Sequence, residues 1–261
     1  MISLLLPAFA ISIVLLGIHS FFGLQIIRRG IIFTDLAIGQ MAALGAAVSL
    51  LTLEGVAVYP LSLGFALLGG LIIYLAGRFT DHLEAVIGLL YALGISAIFI
   101  LLSTSPHGLE EFKNLMAYDI LYTSRMDILY AALLYLGIAL IIGIFTGKGT
   151  RPMGDLLFFV TFSLTVTSSV RMAGVLIVFA ILLAPAYIVR HVGERWGRDN
   201  FIGKHPLVSA WILGVLVNTS SLLVSYSLDF PTGYTLVMFH SAMAVALTFL
   251  AGGKRDAAED Q

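Results

Sequence analysis

The chemistry this chain offers is concentrated in one stretch, Arg28-Arg29-Gly30-Ile31-Ile32-Phe33-Thr34-Asp35-Leu36-Ala37-Ile38-Gly39-Gln40-Met41-Ala42-Ala43-Leu44-Gly45. Two arginines lead into an apolar helix that carries a carboxylate, with an amide five residues further on. A carboxylate entering such a helix is costly unless it is paired, hydrated or bound to a cation, which makes Asp35 a candidate ion ligand. Gln40 adds an amide oxygen, a donor suited to hard cations. The structural alternative is that Asp35 only caps a helix beginning at Leu36, since Asp is a favoured N-cap residue. The two roles are compatible.

Imidazoles supply the other candidate ligands. His19 lies late in the first apolar run and His240 inside the last, and imidazole is a common transition-metal ligand. Each has an ordinary alternative as a hydrogen-bonded histidine between helices, the role Asn218 and Thr219 also suggest. His107 and Glu110 stand three apart in a polar insert. They would share one helical face as a surface zinc pair, although exposed loops more commonly contact a partner.

Catalytic motifs are missing. Gly143-Ile144-Phe145-Thr146-Gly147-Lys148-Gly149-Thr150 imitates a phosphate-binding loop, but it has one residue too few between its glycines and Gly149 where Ser or Thr must follow the lysine. Neither an HExxH pair nor a GxSxG turn occurs. The expectation is a chain that is not an enzyme and hydrolyses no ATP itself.

The elements that must position these residues follow from composition. The chain has 261 residues, 59% hydrophobic and 11% charged, whereas soluble domains carry about 25% charged residues. A membrane-spanning helix needs about 20 apolar residues, and eight or nine such runs are present. They lack the alternation of barrel strands, so the fold class is all-α, a polytopic helical membrane protein of eight to nine transmembrane helices. The first run has no basic leader or small-residue cleavage site, and we read it as a retained span. A net charge of −1 offers nothing to nucleic acid, and the absence of cysteine excludes disulfides and thiolate metal sites.

The spans are expected at about residues 3–24, 35–53, 60–77, 85–103 and 128–145, two within 156–189, then 207–226 and 234–250. The 156–189 run is too long for one crossing and should break near Ser168-Ser169-Val170-Arg171. With nine spans, the basic groups at Arg28/Arg29, Arg78, Lys148/Arg151, Arg190/Arg195/Arg198/Lys204 and Lys254/Arg255 share one side. That side is the cytoplasm by the positive-inside rule, with the C-terminus there and the N-terminus outside. Eight spans would put the later basic clusters outside. Small residues at Ala42/Ala46, Ala43/Ala47 and Gly64/Gly69/Gly70 suit close helix packing. After Pro185, which should kink its helix, Tyr187-Ile188-Val189-Arg190-His191-Val192-Gly193-Glu194-Arg195 is expected to form a short amphipathic cytoplasmic helix. Such a helix docks into a partner's groove or lies on the membrane surface.

Three stretches give the chain a family resemblance: residues 28–45; Ala85-Val86-Ile87-Gly88-Leu89-Leu90-Tyr91-Ala92-Leu93-Gly94 with Leu115-Met116-Ala117-Tyr118-Asp119-Ile120-Leu121; and residues 174–190. In order and spacing they resemble the permease subunit of the metal-ion ABC importers that take up zinc, manganese or iron. The resemblance runs through most of the chain and implies a single transmembrane permease domain, residues 1–261, in the plasma (inner) membrane. It also implies a partnership with a second copy of itself, with cytoplasmic ATPase subunits and with an extracytoplasmic metal-binding protein, all amid membrane lipid. No cofactor is expected to be bound permanently; the divalent ion is cargo. Asp35 matches the family's acid on the second span, but Gly39 stands where the family has a histidine, leaving Gln40, His19 and His240 as further candidate ligands. ATPase coupling falls to Pro185, Arg190, His191, Glu194 and Arg195. Docking of the binding protein falls to His107, Glu110, Glu111 and Asp119. The alternatives are a gradient-driven secondary transporter, for which the paired broken helices are not found, and an intramembrane metalloenzyme. Oxygen donors favour Mn²⁺ and imidazoles Zn²⁺ or Fe²⁺, so the sequence leaves the metal open.

Overall fold

A computed structural model describes residues 2–110, 112, 120–146, 154–195 and 200–250. Among these, nine helices are long and apolar enough to cross a membrane. They are α1 (Ile2–Arg29), α2 (Thr34–Leu53), α3 (Val58–Ala76), α4 (Leu83–Leu102), α5 (Arg125–Thr146), α6 (Asp155–Ala173), α7 (Val175–Arg195), α8 (Pro206–Leu228) and α9 (Thr232–Leu250). The all-α polytopic fold is therefore as expected, and the higher of the two span counts holds. No strand occurs among the described residues. Each span closes its own backbone hydrogen bonds, as a lipid environment requires.

The spans pack as two groups. α2 lies against α3, α4 and α6, with α3 also on α6; α1 lies against α7 and α8, and α7 and α8 against α9. α5 rests on α1 and α6. The turns are short. Glu54 ends α2 and Asp229 ends α8, both in the left-handed region at φ 50° and 54°, each donating its N–H to a serine carbonyl within the helix, Ser49 and Ser225. α3 begins two residues before Pro60, which fits in its first turn, where no intrahelical N–H bond is lost.

The break between the sixth and seventh spans falls at Gly174, three residues beyond the expected point. Its φ of 81° belongs to glycine, and α7 resumes at Val175. The serine and threonine run before it stays helical because its hydroxyls bond back to the same helix: Thr161 to Leu157 O at 2.7 Å, Thr165 to Thr161 O at 2.8 Å, Thr167 to Ser163 O at 2.8 Å, Ser169 to Thr165 O at 2.8 Å. Polar side chains satisfied in this way can be buried, and these are.

Glycine sets the closest approaches. A Cβ on Gly45 would collide with the Leu61 carbonyl of α3, and one on Gly69 would come within 2.9 Å of Met41 Cγ. Gly64, grouped with Gly69 and Gly70 by sequence spacing, meets nothing within 4 Å. Overpacking a tight contact costs about 1–3 kcal/mol. Gly45→Leu is therefore expected to lower the thermal unfolding temperature of the detergent-purified chain, whereas Gly64→Leu should leave it near wild type; equal behaviour of the two would refute the α2–α3 packing described here.

Candidate functional site

Asp35 is the second residue of α2. The helix starts one residue ahead of it, with Phe33 as N-cap and no side-chain capping bond. Thr34 turns its hydroxyl onto Ile31 O at 2.7 Å. The alternative of Asp35 capping a helix that begins at Leu36 is thus replaced by an acid inside the first turn. Its carboxyl lies against the backbone N–H groups of residues 35 and 36, where the helix dipole favours negative charge. Yet Asp35 is only 2% exposed, and its Oδ1 has no hydrogen-bond partner. A buried carboxylate oxygen left unsatisfied is expensive. A proton or a cation arriving there is the chemistry that relieves it.

The structure does not bring Gln40 to Asp35. α2 is helical throughout, and five residues along a regular helix turn the side chain about 140° away. Gln40 is half-buried against α4, where a Cβ on Gly94 would fall 3.0 Å from the Gln40 Cβ. Gly39 does share the Asp35 face. It looks toward the α6–α7 junction, with Val175 Cγ2 at 3.7 Å and Val170 Cγ2 at 3.9 Å from the position a Cβ would take.

Both histidines are buried within the bundle and hydrogen-bonded. His19 Nδ1 lies 2.8 Å from Leu15 O; a carbonyl only accepts, so this nitrogen carries a proton. Its Nε2 lies 3.1 Å from Ser169 Oγ of α6. Tyr135 of α5 packs edge-on to the ring at 6.2 Å and receives a hydrogen bond from Ser168 at 3.1 Å. This network joins α1, α5 and α6 and leaves His19 no free ring nitrogen. His240 Nε2 lies 2.7 Å from Asn218 Oδ1, joining α9 to α8, while its Nδ1 has no partner. Among the described residues no group of three or more histidines and acids is arranged to hold a metal ion.

The segment after Pro185 also differs from expectation. No separate helix forms at 186–195; α7 runs through Pro185 to Arg195, with Ala186, Ile188, Val189 and Val192 buried. The separate short helix comes later, at Phe201–Lys204, capped by Asn200 Oδ1 accepting from Gly203 N at 2.8 Å. Arg190 and Glu194 pair one turn apart at 2.9 Å on the exposed side of α7. They line a cleft of about 440 Å³ with Arg28, Gln25, Ile202 and Pro206. His191 stacks on Tyr187 at 5.7 Å, and Tyr187 in turn meets Thr248 at 2.8 Å. Of the expected docking residues, His107 and Glu110 are exposed just past α4; Glu111 and Asp119 lie outside the described residues.

Two contacts that composition and spacing did not reveal hold the α1–α2 turn. Arg29 pairs with Asp155 at the start of α6 and lies over the Phe158 ring at 4.5 Å. Glu84, in the first turn of α4, accepts the Phe33 N–H at 3.1 Å. The polar run Asp81-His82-Leu83-Glu84 reads as an ordinary turn; the available signal was an acid in the first turn of a span, as at Asp35.

Residues 149–251, which take in α6 to α9, match the family described as ABC 3 transport family. No curated protein matches the sequence. The fold is similar to a chain of PsaBC from Streptococcus pneumoniae, solved in complex with Fab, with a TM-score of 0.68 at 19% identity over 95% of this chain and 91% of that one. It is also similar to a chain described as a metal-chelate type ABC transporter in an inward-facing conformation, with a TM-score of 0.67 at 14% identity over 94% and 85% of the two chains. The last four spans thus match the ABC 3 transport family, and the helical fold as a whole is similar to that of chains solved in ABC transporters.

Proposed function

We propose that this chain is the permease subunit of an ABC importer, that it takes up a divalent transition-metal ion, Zn²⁺, Mn²⁺ or Fe²⁺, and that Asp35 contacts the ion on its way. The observation that carries the reading is the buried Asp35 carboxylate with an unpartnered Oδ1 at the start of α2, set in a fold similar to that of a transporter described as of metal-chelate type. An anionic oxygen held in an apolar bundle is stabilised by a passing cation. One copy supplies too few donors for a closed ion site among the described residues, which supports a pathway completed by a second copy.

Energy would come from separate ATPase subunits, because this sequence has no intact phosphate-binding loop. They would dock at the cleft between the ends of α1 and α7 and the short Phe201–Lys204 helix, where Arg28, Arg190 and Glu194 provide charge. Arg195, at the last position of α7, and the stacked His191 belong to the same end. The basic residues collected there orient this end to the cytoplasm of the plasma membrane, with the N-terminus outside. An extracytoplasmic binding protein would then meet the opposite end, where His107 and Glu110 are exposed.

Two outcomes test this. Asp35→Ala should reduce metal uptake in cells to the level of cells lacking the chain, with membrane abundance and ATPase assembly retained; unchanged uptake removes Asp35 from the pathway. The triple change Arg190→Ala, Glu194→Ala and Arg195→Ala should lower recovery of the ATPase on co-purification roughly tenfold, equivalent to about 1.4 kcal/mol, and undiminished recovery would place docking elsewhere.

A further inference from the structure

We infer that a small basic cavity among the ends of α1, α3, α4 and α6 binds a phosphate group, delivered by the headgroup of an anionic phospholipid. The cavity has a volume of about 220 Å³, many times the roughly 15 Å³ that admits one water. Its apolar lining includes the buried Ile73 and Phe159, and its charged groups are Arg29, Arg78 and Asp155. Arg29 and Asp155 pair with one another, so their charges cancel. The charge of Arg78 is left over. Its guanidinium lies over the Tyr74 ring, 5.0 Å from the centroid, and among the described residues no carboxylate pairs with it. A ring face attracts the charge of a guanidinium but accepts few of its in-plane N–H donors. Two guanidiniums against one carboxylate leave the cavity net positive. The donor fork of Arg78 matches a pair of phosphate oxygens.

The surroundings favour a lipid as the source of that phosphate. Arg29 ends α1, Gly77 and Arg78 follow α3, Leu83 opens α4 and Asp155 opens α6. Four spans thus leave the hydrocarbon at this cavity, which sets it at the level of the headgroups. Leu68, Leu71 and Leu75 form one exposed stripe along α3, and Phe79 just past the helix end is exposed as well. They give an acyl chain an apolar track that ends beside Arg78. Tyrosine and arginine are the side chains that settle at this depth, with an apolar body toward the acyl region and a polar tip among the headgroups. Basic pockets between spans hold anionic headgroups by the same chemistry. The site is independent of which ion the chain carries.

The full-length chain in detergent would be titrated with phosphatidylglycerol and, separately, with phosphatidylcholine, with bound lipid counted by native mass spectrometry. One phosphatidylglycerol is expected to bind about fivefold or more tightly than phosphatidylcholine, the scale set by one basic residue at a headgroup. Arg78→Gln should remove that preference. Arg171→Gln, which takes an arginine from over the Tyr59 ring at the opposite end of α6, should leave it intact. Equal binding of the two lipids by the wild type, an undiminished preference in Arg78→Gln, or the same loss in Arg171→Gln would each overturn the site. Inorganic phosphate is the other arm: if it displaces the lipid at millimolar concentration, free phosphate is the ligand and the lipid assignment falls. A second measurement needs no substitution. A phosphatidylglycerol carrying a photoreactive group at its headgroup should label residues 74–83 of the wild-type chain, as mapped by mass spectrometry, and labelling confined to other segments would overturn the proposal.

Discussion

The constraint on which the rest depends is the absence of water around the spans. A backbone or side-chain polar group in the bundle must find its partner within protein. Most of them do. Thr161, Thr165, Thr167 and Ser169 of α6 return to their own helix; His19 is tied to Leu15 O and Ser169, and His240 to Asn218. Against that background an unsatisfied buried carboxylate oxygen is a departure, and at Asp35 it falls in the first turn of α2. In a membrane bundle a polar group that the protein leaves unpaired is where an external partner has the most to contribute.

That start is held from two sides by charged groups of other helices. Arg29 reaches Asp155 on α6, and Phe33 donates to Glu84 on α4. The close glycine contacts, Gly45 on Leu61 and Gly69 on Met41, press α2 and α3 together further along. α2 is therefore fixed against its neighbours at several points, and the geometry around Asp35 is set by the packing of three helices instead of a flexible loop. Such support holds a buried side chain in one geometry before any partner arrives.

Much of the fold was legible because span length and hydropathy are physical requirements of the bilayer, and they show in any run of about 20 apolar residues. What misled was local polarity. The Ser168-Ser169-Val170-Arg171 run looked like a break, but hydroxyls that bond back to their own helix do not interrupt it; the interruption needed a residue that tolerates φ 81°, and that is Gly174. Pro185 was expected to kink its helix ahead of a separate short one, yet proline removes one N–H and α7 has enough neighbours on its buried side to continue to Arg195. Asp35 was visible as an anomaly of type and place. Glu84 was not, because its meaning depends on which helix lies beside α4, and a contact across 51 residues leaves no periodic trace in the sequence.

The histidines show the same limit from the other direction. As sequence, His19 and His240 were equal candidates for ion ligation or for bundle hydrogen bonding. The structure separates them by counting lone pairs. His19 has both ring nitrogens engaged, so ligation would require it to give up Leu15 O or Ser169. His240 keeps Nδ1 unengaged while Asn218 Oδ1 receives its Nε2–H, and a carbonyl acceptor on one nitrogen fixes the tautomer that leaves the other as a donor to metals. An imidazole prepared in this way still lacks company among the described residues. Asp35 differs from both in kind, a buried acid in the first turn of α2 with one oxygen unpartnered, and an anion left in that state has more to gain from an external partner than a neutral imidazole has.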